Sequence, residues 1–557
     1  MSVDARRSAK RGTYLLLALI LLPFGAEWAR LQFFGPKVLY VNGDIAVADY
    51  NARLAMHGQL YVGVYDRFGW HHPGPALSYL FAGFYWVFGS SPRTLYATAL
   101  LLSIACVAAS VLLVQWRAGI AAGRMCAVAG GLFLFYLALS SSAPDSLDVM
   151  SIVTSPWNPD VVVAPTLLFM VLAASAIDDA PSMAGMLAVG SFIVSADIGT
   201  APLVGLVSAV VVCLALGRLA YRHWIRRSGG AHGRGEEERA VRPWLRPVLS
   251  LVGGVVLLAL IWGPPLAQQH NSTDGNLSAI VHFFTNHRNP FTANGLLTTF
   301  DYLAKASAGS GGARITFLGW VPHNDAITTL VVICALLVGL AALSPLLPHY
   351  LRMLTAVVAV GMVAGAIAGN DIVGITWGYL LEWSLGVAAA LGFCVFGALG
   401  VLLARYATRV AVPRGRQALG VASLAACAVV AVVMVVQVVN FPKLSSVSEP
   451  AVGHATNQAV ALLRPSDLPT QVDGDFDSLA ATGLYSGVVD ALSRRGVDLV
   501  IQPIWFNSFG NGWFGLHTRQ RTGPSRSTTI IKISSPPGTP VVARAHTTAS
   551  ATVIPNP

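Results

Sequence analysis

The chain has 557 residues, 54% of them hydrophobic and only 11% charged, with a mean hydropathy of +0.62, which excludes an ordinary water-soluble domain and describes a polytopic membrane protein. The formal net charge of +10 does not point to nucleic acid, because most of the arginine lies in short stretches between apolar runs, where it serves orientation. All six cysteines fall inside apolar runs, so neither a disulfide nor a thiolate metal site is expected.

Residues 1–12 carry Arg6, Arg7, Lys10 and Arg11 ahead of an apolar run over about 14–28. No small-residue cleavage site follows, so the run reads as an uncleaved span with its N-terminus in the cytoplasm. Further runs near the roughly 20 residues a bilayer needs occupy about 94–115, 125–141, 161–178, 182–196, 199–219, 248–264, 327–347, 351–369, 377–404 and 417–440. About eleven transmembrane helices are expected.

The run over 73–89, "PGPALSYLFAGFYWVFG", is of borderline length, and arginine decides its place. If it does not cross, Arg117, Arg124, the seven arginines between 222 and 246, Arg352 and those of 405–416 all become cytoplasmic. It is therefore expected to lie in, or dip into, the outer interface, consistent with Tyr79, Tyr85 and Trp86. The same parity places outside the loops over 31–93, 142–160 and 265–326, and everything after Asn440. The chain is thus expected to divide into a transmembrane unit, 1–440, and an extracytoplasmic unit, 441–557. That tail has helix-like patches near 453–464 and 478–494 and strand-like "VDLVIQ" and "TTIIKIS", a small α/β domain ending in a disordered Pro/Thr/Ala-rich tip.

The first outer loop is dense in chemistry: "GDIAVADYNARLAMHGQLYVGVYDRFGWHHPGP" runs over 43–75. Asp44 precedes a helical pattern over 45–57, with Ile45, Ala48, Ala52 and Ala55 on one face, and taken locally it reads as an N-cap. Asp49 and Arg53, at i and i+4, read as a surface ion pair worth some tenths of a kcal/mol. The competing reading of Asp44 rests on its company: an acid at the exit of the first span, an arginine nine residues on, Gly58, then "HHPGP" opening an aromatic helix that ends in "WVFG".

This order of residues resembles the GT-C superfamily of integral membrane glycosyltransferases, especially the branch of protein O-mannosyltransferases and lipid A aminoarabinose transferases. The resemblance is specific over about 40–100 and architectural elsewhere. It departs twice from the family pattern: the usual second acid is Ile45 here, and the usual Pro-Pro is interrupted as Pro73-Gly74-Pro75. It implies transfer of a sugar from a polyprenyl-phosphate carrier to an acceptor on the outer face. Such a displacement needs a carboxylate to take the acceptor proton and cations to stabilise the departing phosphate. Asp44 would be the base, its basicity raised by partial desolvation; Arg67, His71, His72 and Arg288 would hold the phosphate. For each of the four, snorkelling or headgroup binding is an equal alternative. Acceptor or sugar contacts would come from Asp49, Arg53, Tyr65, Trp70, Asn158 and Gln269, the last two of which equally read as helix-end residues.

Asp197 in "SADIGT" reads as a turn at the outer surface, since a mid-bilayer acid costs about 3 kcal/mol, and Asn370-Asp371 ends another span in the same plane. No GxxxxGK[ST] loop, GxGxxG after a strand, or HExxH is present, which disfavours a nucleotide-driven pump or a zincin. No cofactor is called for. A divalent cation stays open, since Asp44, Asp49 and Asp160 offer oxygen ligands at a spacing that specifies nothing.

The expected function is an inverting glycosyltransferase of the plasma (inner) membrane, serving cell-envelope biogenesis. Its expected partners are a polyprenyl-phosphate-linked sugar, an envelope glycan, lipid or protein acceptor and membrane lipid, with no nucleic acid. A non-enzymatic lipid or glycan transporter or flippase is the alternative, as is a scaffold that lost catalysis with the second acid. Transporters, however, keep polar groups at mid-bilayer on broken helices, and here those groups lie in outer loops.

Overall fold

The computed structural model describes residues 3–34, 38–66, 68–140, 151–228, 245–272, 275–287, 289–290, 292–307, 325–374, 376–409, 450–463, 470–474, 479–497, 499–501, 519–520, 528–534, 541–547 and 552–553. In chain order the helices are α1 (Val3–Phe34), α2 (Gly43–Met56), α3 (Ala76–Phe88), α4 (Pro92–Ala118), α5 (Ile120–Leu139), the single turn α6 (Asn158–Val161), α7 (Val163–Ala176), α8 (Ala180–Ala196) and α9 (Ala201–Ser228). There follow α10 (Leu245–Asn271), α11 (Asn276–Asn286), α12 (Ala293–Ser307), α13 (Asp325–Ala342), α14 (His349–Asn370) and α15 (Ser384–Arg409), then α16 (Pro450–Leu462) and α17 (Leu479–Arg494) in the tail.

Among the described residues eight helical segments are long and apolar enough to cross a membrane, and α8 and Ala326–Ala342 are shorter apolar helices at positions where spans were expected. The run expected over 417–440 lies outside the described residues. Several boundaries need correction. The first span runs to Phe34, so the first outer loop begins later than residue 31. The span expected over 248–264 continues to Asn271 through Pro264 and Pro265, because a membrane helix re-satisfies the backbone groups that proline frees. The span expected from residue 377 begins only at Ser384, after a 3-10 turn at Gly378–Leu381. The helix α3, at 13 residues, rises about 20 Å, short of the roughly 30 Å hydrocarbon core.

Close helix approach builds the membrane core. The helix α15 packs on α5 and α7, α4 on α5 and α7, and α14 on α7 and α9. Lipid is as apolar as leucine, so such contacts depend on small residues that let backbones meet. Gly400 is one: a Cβ there would lie 2.5 Å from the carbonyl oxygen of Ala121.

The expectation for α2 was one apolar face and one solvated face, whereas every residue over 46–55 is buried. Ala46 and Ala52 join the membrane core, and Val47, Tyr50 and Leu54 form a second core with Val452, Leu484, Val488 and Leu492 of α16 and α17. A fully buried leucine contributes about 1.5–3 kcal/mol, so α2 is held from both sides. The Asp49–Arg53 pair is accordingly no surface pair. Asp49 is fully buried and meets Arg494 and the Tyr85 hydroxyl as well as Arg53 at 3.4 Å; Arg53 reaches Asp490 at 2.6 Å and the Ser493 hydroxyl at 3.2 Å.

The tail carries the strands β1 (Thr470–Gly474), β2 (Leu499–Ile501), β3 (Arg519–Gln520), β4 (Thr528–Ser534), β5 (Val541–Thr547) and β6 (Thr552–Val553). They form one mixed sheet in the order β3-β6-β2-β1-β4-β5, with β1 parallel to β2 and β4 and the other pairs antiparallel. The two strand-like runs correspond to β2 and β4. The tip expected to be disordered instead supplies β5 and β6, because β4 offers "VVARAHT" a full antiparallel partner from Thr528↔Thr547 to Ser534↔Val541.

Candidate active site

Asp44 stands in the first turn of α2, and the N-cap is Asn42. The local N-cap reading is therefore corrected: the chain enters the helix through Gly43 at φ +52°, a conformation that glycine adopts without strain, leaving the Asp44 side chain to other work. The Tyr65 hydroxyl donates to Asp44 Oδ1 at 2.7 Å, and the Trp157 side chain also hydrogen-bonds the carboxylate. Burial pushes the half-buried Asp44 above the usual carboxylate range, against the two hydrogen bonds.

Tyr65 arrives there on a tight hairpin. The Gly63 amide donates to His72 O (2.9 Å), His72 N to Val64 O (2.8 Å) and Asp66 N to Trp70 O (2.7 Å). The return arm carries Trp70, His71 and His72 inward. Trp70 packs against Phe283 and Phe284 of α11, with ring centroids 5.7 and 5.9 Å away. The His71 amide donates to Asn276 Oδ1 (2.8 Å), and the Asn276 side-chain amide donates back to His71 O (2.9 Å), fastening the hairpin to the start of α11.

His72 Nδ1 accepts from the Ile198 amide at 3.1 Å, and its Nε2 lies 3.2 Å from the Asn158 side-chain amide. Burial first, and the neighbouring His71 second, lower its pKa to about 3, so the ring is neutral at ordinary pH. This removes His72 from the phosphate-binding cations expected of the loop. Arg67 and Arg288 lie outside the described residues. Asn158 is buried and donates to Ala196 O, and Gln269 hydrogen-bonds Ser278, so both tie the fold together. Asp49 and Arg53 face α17, as described above.

These elements enclose a cavity of about 240 Å³ lined by the rings of Phe68, Trp70, Phe283, Phe284 and Tyr379 and by the carboxylates of Asp66, Asp197 and Asp371. Among the described residues no lysine or arginine lines it. Asp197 is a turn residue, as expected, accepting from the Gly199 amide at 2.9 Å, and burial, aided by Asp66, pushes it up to about 7. Trp157 links Asp44 to this cavity, its ring 4.9 Å from that of Tyr379.

Sequence reading passed over Trp157, Tyr379 and Glu382. Glu382 is fully buried, and burial followed by the charge of Asp160 raises its pKa well above the ordinary value. An acid next to Trp383 at the mouth of a span was the available signal. Among the described residues no group of three or more His, Cys, Asp or Glu side chains is arranged to hold a metal ion. Asp44, Asp49 and Asp160 do not converge, since Asp49 is engaged with the arginines of α2 and α17.

No family model matches the sequence, and no curated protein matches it. Among solved structures, the chain is similar to ArnT from Cupriavidus metallidurans bound to undecaprenyl phosphate, at 16% identity over 89% of this chain and 94% of that one, with a TM-score of 0.44. For the apo state of the same protein the figures are 15%, 90%, 94% and 0.44. It is also similar to the oligosaccharyltransferase AglB from Archaeoglobus fulgidus in complex with an inhibitory peptide and a dolichol-phosphate, at 13% identity over 96% and 74% of the two chains and a TM-score of 0.33. These likenesses are of overall course, and no residue role passes from them. The resemblance to the GT-C membrane glycosyltransferases rests on the opening motif, from Asp44 through Arg53 and Gly58 to Pro75 and Gly89.

Proposed function

We propose that the protein is a multi-pass membrane glycosyltransferase that moves a sugar from a polyprenyl-phosphate carrier to an envelope glycan, lipid or protein acceptor on the outer face of the plasma membrane, inverting the anomeric centre. The observation that carries this reading is Asp44: a half-buried carboxylate of raised pKa, held by Tyr65 and Trp157 beside an aromatic cavity. In the proposed step the acceptor hydroxyl gives its proton to Asp44 as its oxygen bonds the anomeric carbon. The bond from that carbon to the phosphate oxygen breaks, and its electron pair leaves with the phosphate. Arg67, His71 and Arg288 are the proposed phosphate partners, and His72, neutral, fixes the hairpin instead. Trp70 and Tyr379 offer faces for a sugar ring or the first prenyl units. Activity is tested by transfer from a labelled polyprenyl-phosphate sugar in proteoliposomes; no transfer to any glycan, lipid or peptide acceptor would count against the reading.

The proposed arrangement puts residues 1–440 in a membrane unit with a cytoplasmic N-terminus and 441–557 in an external unit. In a cysteine-free background, single cysteines replacing Ser90 and Ser272 should react with an impermeant maleimide from outside, and one replacing Ser228 only from inside. Labelling of Ser90→Cys from the cytoplasm alone would mean that α3 crosses the membrane and that the orientation is reversed.

A further inference from the structure

We infer that a second groove beside the aromatic cavity, uncharged among its described lining, binds a neutral glycan, which, on the transferase reading above, is the acceptor chain. The groove, of about 450 Å³, lies between the start of α12, the end of α14 and the segment before α12. That size falls within the roughly 300–1,000 Å³ of small-molecule sites. Its polar lining is amide and hydroxyl, from Asn289, Thr292, Asn294, Thr298, Asn370 and Thr376, and among the described residues it contains no ionisable side chain.

The wall is built rather than loose. Asn289 Nδ2 donates to Ile372 O at 2.6 Å and Asn370 O at 3.3 Å, and Asn370 Oδ1 accepts from the Thr292 amide at 3.2 Å. Thr299 Oγ1 bonds Gly365 O at 2.7 Å and pins α12 to α14 behind it. Asn294 and Thr376 complete the lining with side chains that make no hydrogen bond within the described residues, leaving one amide and one hydroxyl, three donors with their acceptors, for a ligand.

Charge and position select the ligand class. A phosphate or a uronate needs a cation, and the groove has none among its described lining, while a prenyl chain gains nothing from amides and hydroxyls. A chain of sugar hydroxyls pairs with both. Ile372 lines this groove and the aromatic cavity alike, so a glycan lying in one reaches toward the other.

The test is binding, which does not depend on turnover. Full-length protein in nanodiscs is titrated with mannotetraose, an arabinan tetramer and tetragalacturonate, read by saturation-transfer NMR and calorimetry. At least one neutral tetrasaccharide should bind at least 10-fold more tightly than tetragalacturonate. The Asn294→Ala/Thr376→Val double variant should weaken it at least 10-fold, and Asn294→Gln/Thr376→Ser should restore most of it. No neutral binding above empty nanodiscs, equal binding of tetragalacturonate, or wild-type binding by the Ala/Val variant would overturn the groove assignment. Binding without any transfer from a polyprenyl-phosphate sugar would overturn the transferase reading alone; transfer without such binding would overturn the groove alone.

Discussion

Asp44→Asn should abolish sugar transfer while leaving the protein folded. Removing a general base lowers the rate about 10²–10⁴-fold, equivalent to about 3–5 kcal/mol of transition-state stabilisation. The stability cost should be small, since the asparagine oxygen still accepts from Tyr65 and Asn42, not Asp44, is the N-cap of α2. The wild-type pH profile supplies a second readout. The active form is the carboxylate, and burial raises its pKa, so kcat/KM should climb as pH rises through a value above the usual carboxylate range. That limb should vanish in the residual activity of the variant. Full transfer by Asp44→Asn in proteoliposomes would place the base elsewhere.

Arg494→Met should undock the tail from α2. Buried Asp49, Arg53 and Asp490 and the partly buried Arg494 form a group of two acids and two bases, with Arg53–Asp490 at 2.6 Å and Arg494–Asp490 at 3.5 Å. Removing one member of such a group strands a charge and costs about 3–5 kcal/mol, whereas replacing all four by apolar residues of similar volume is often neutral or stabilising. Loss of protection of the 450–501 region against protease, with little change for the quadruple replacement, is the expected pattern. The sign with pH follows from two opposed shifts. Burial alone would push Asp49 up, but the Arg494 and Arg53 charges hold it below the usual range; burial, then the charge of Asp49, pushes Asp490 up to about 7. A carboxyl whose folded pKa is raised loses stabilisation as pH rises from its unfolded value near 4 to its folded value. Docking in the wild type should therefore weaken from about pH 4 to about pH 7. In Arg494→Met the decline should extend above pH 7, because the pair of acids then has one cation. Protection of Arg494→Met equal to wild type across that range would show that the apolar contacts of Leu484, Val488 and Leu492 dock the tail unaided.

Composition and apolar run length determined by themselves that this is a polytopic membrane protein, because a bilayer imposes length and polarity on each crossing segment independently of its neighbours. The GT-C resemblance and the proposal of Asp44 as the base rest on residues close together in the chain: an acid, an arginine nine on, a glycine, then His-His-Pro-Gly-Pro. Tertiary structure decided what those residues touch. Asp49 and Arg53 looked like a solvated i,i+4 pair because their other partners, Asp490 and Arg494, lie more than 430 residues away. His72 looked like a cation because nothing local reveals that Asn158 and Ile198 enclose it and that burial disfavours its charged form. The bond from Tyr65 to Asp44 was hidden because only the hairpin closing at His72 turns its hydroxyl onto the carboxylate. Periodicity and propensity act over a few residues, whereas desolvation and charge pairing depend on whichever distant segments the fold brings into contact, and those terms decided the chemistry of each side chain here.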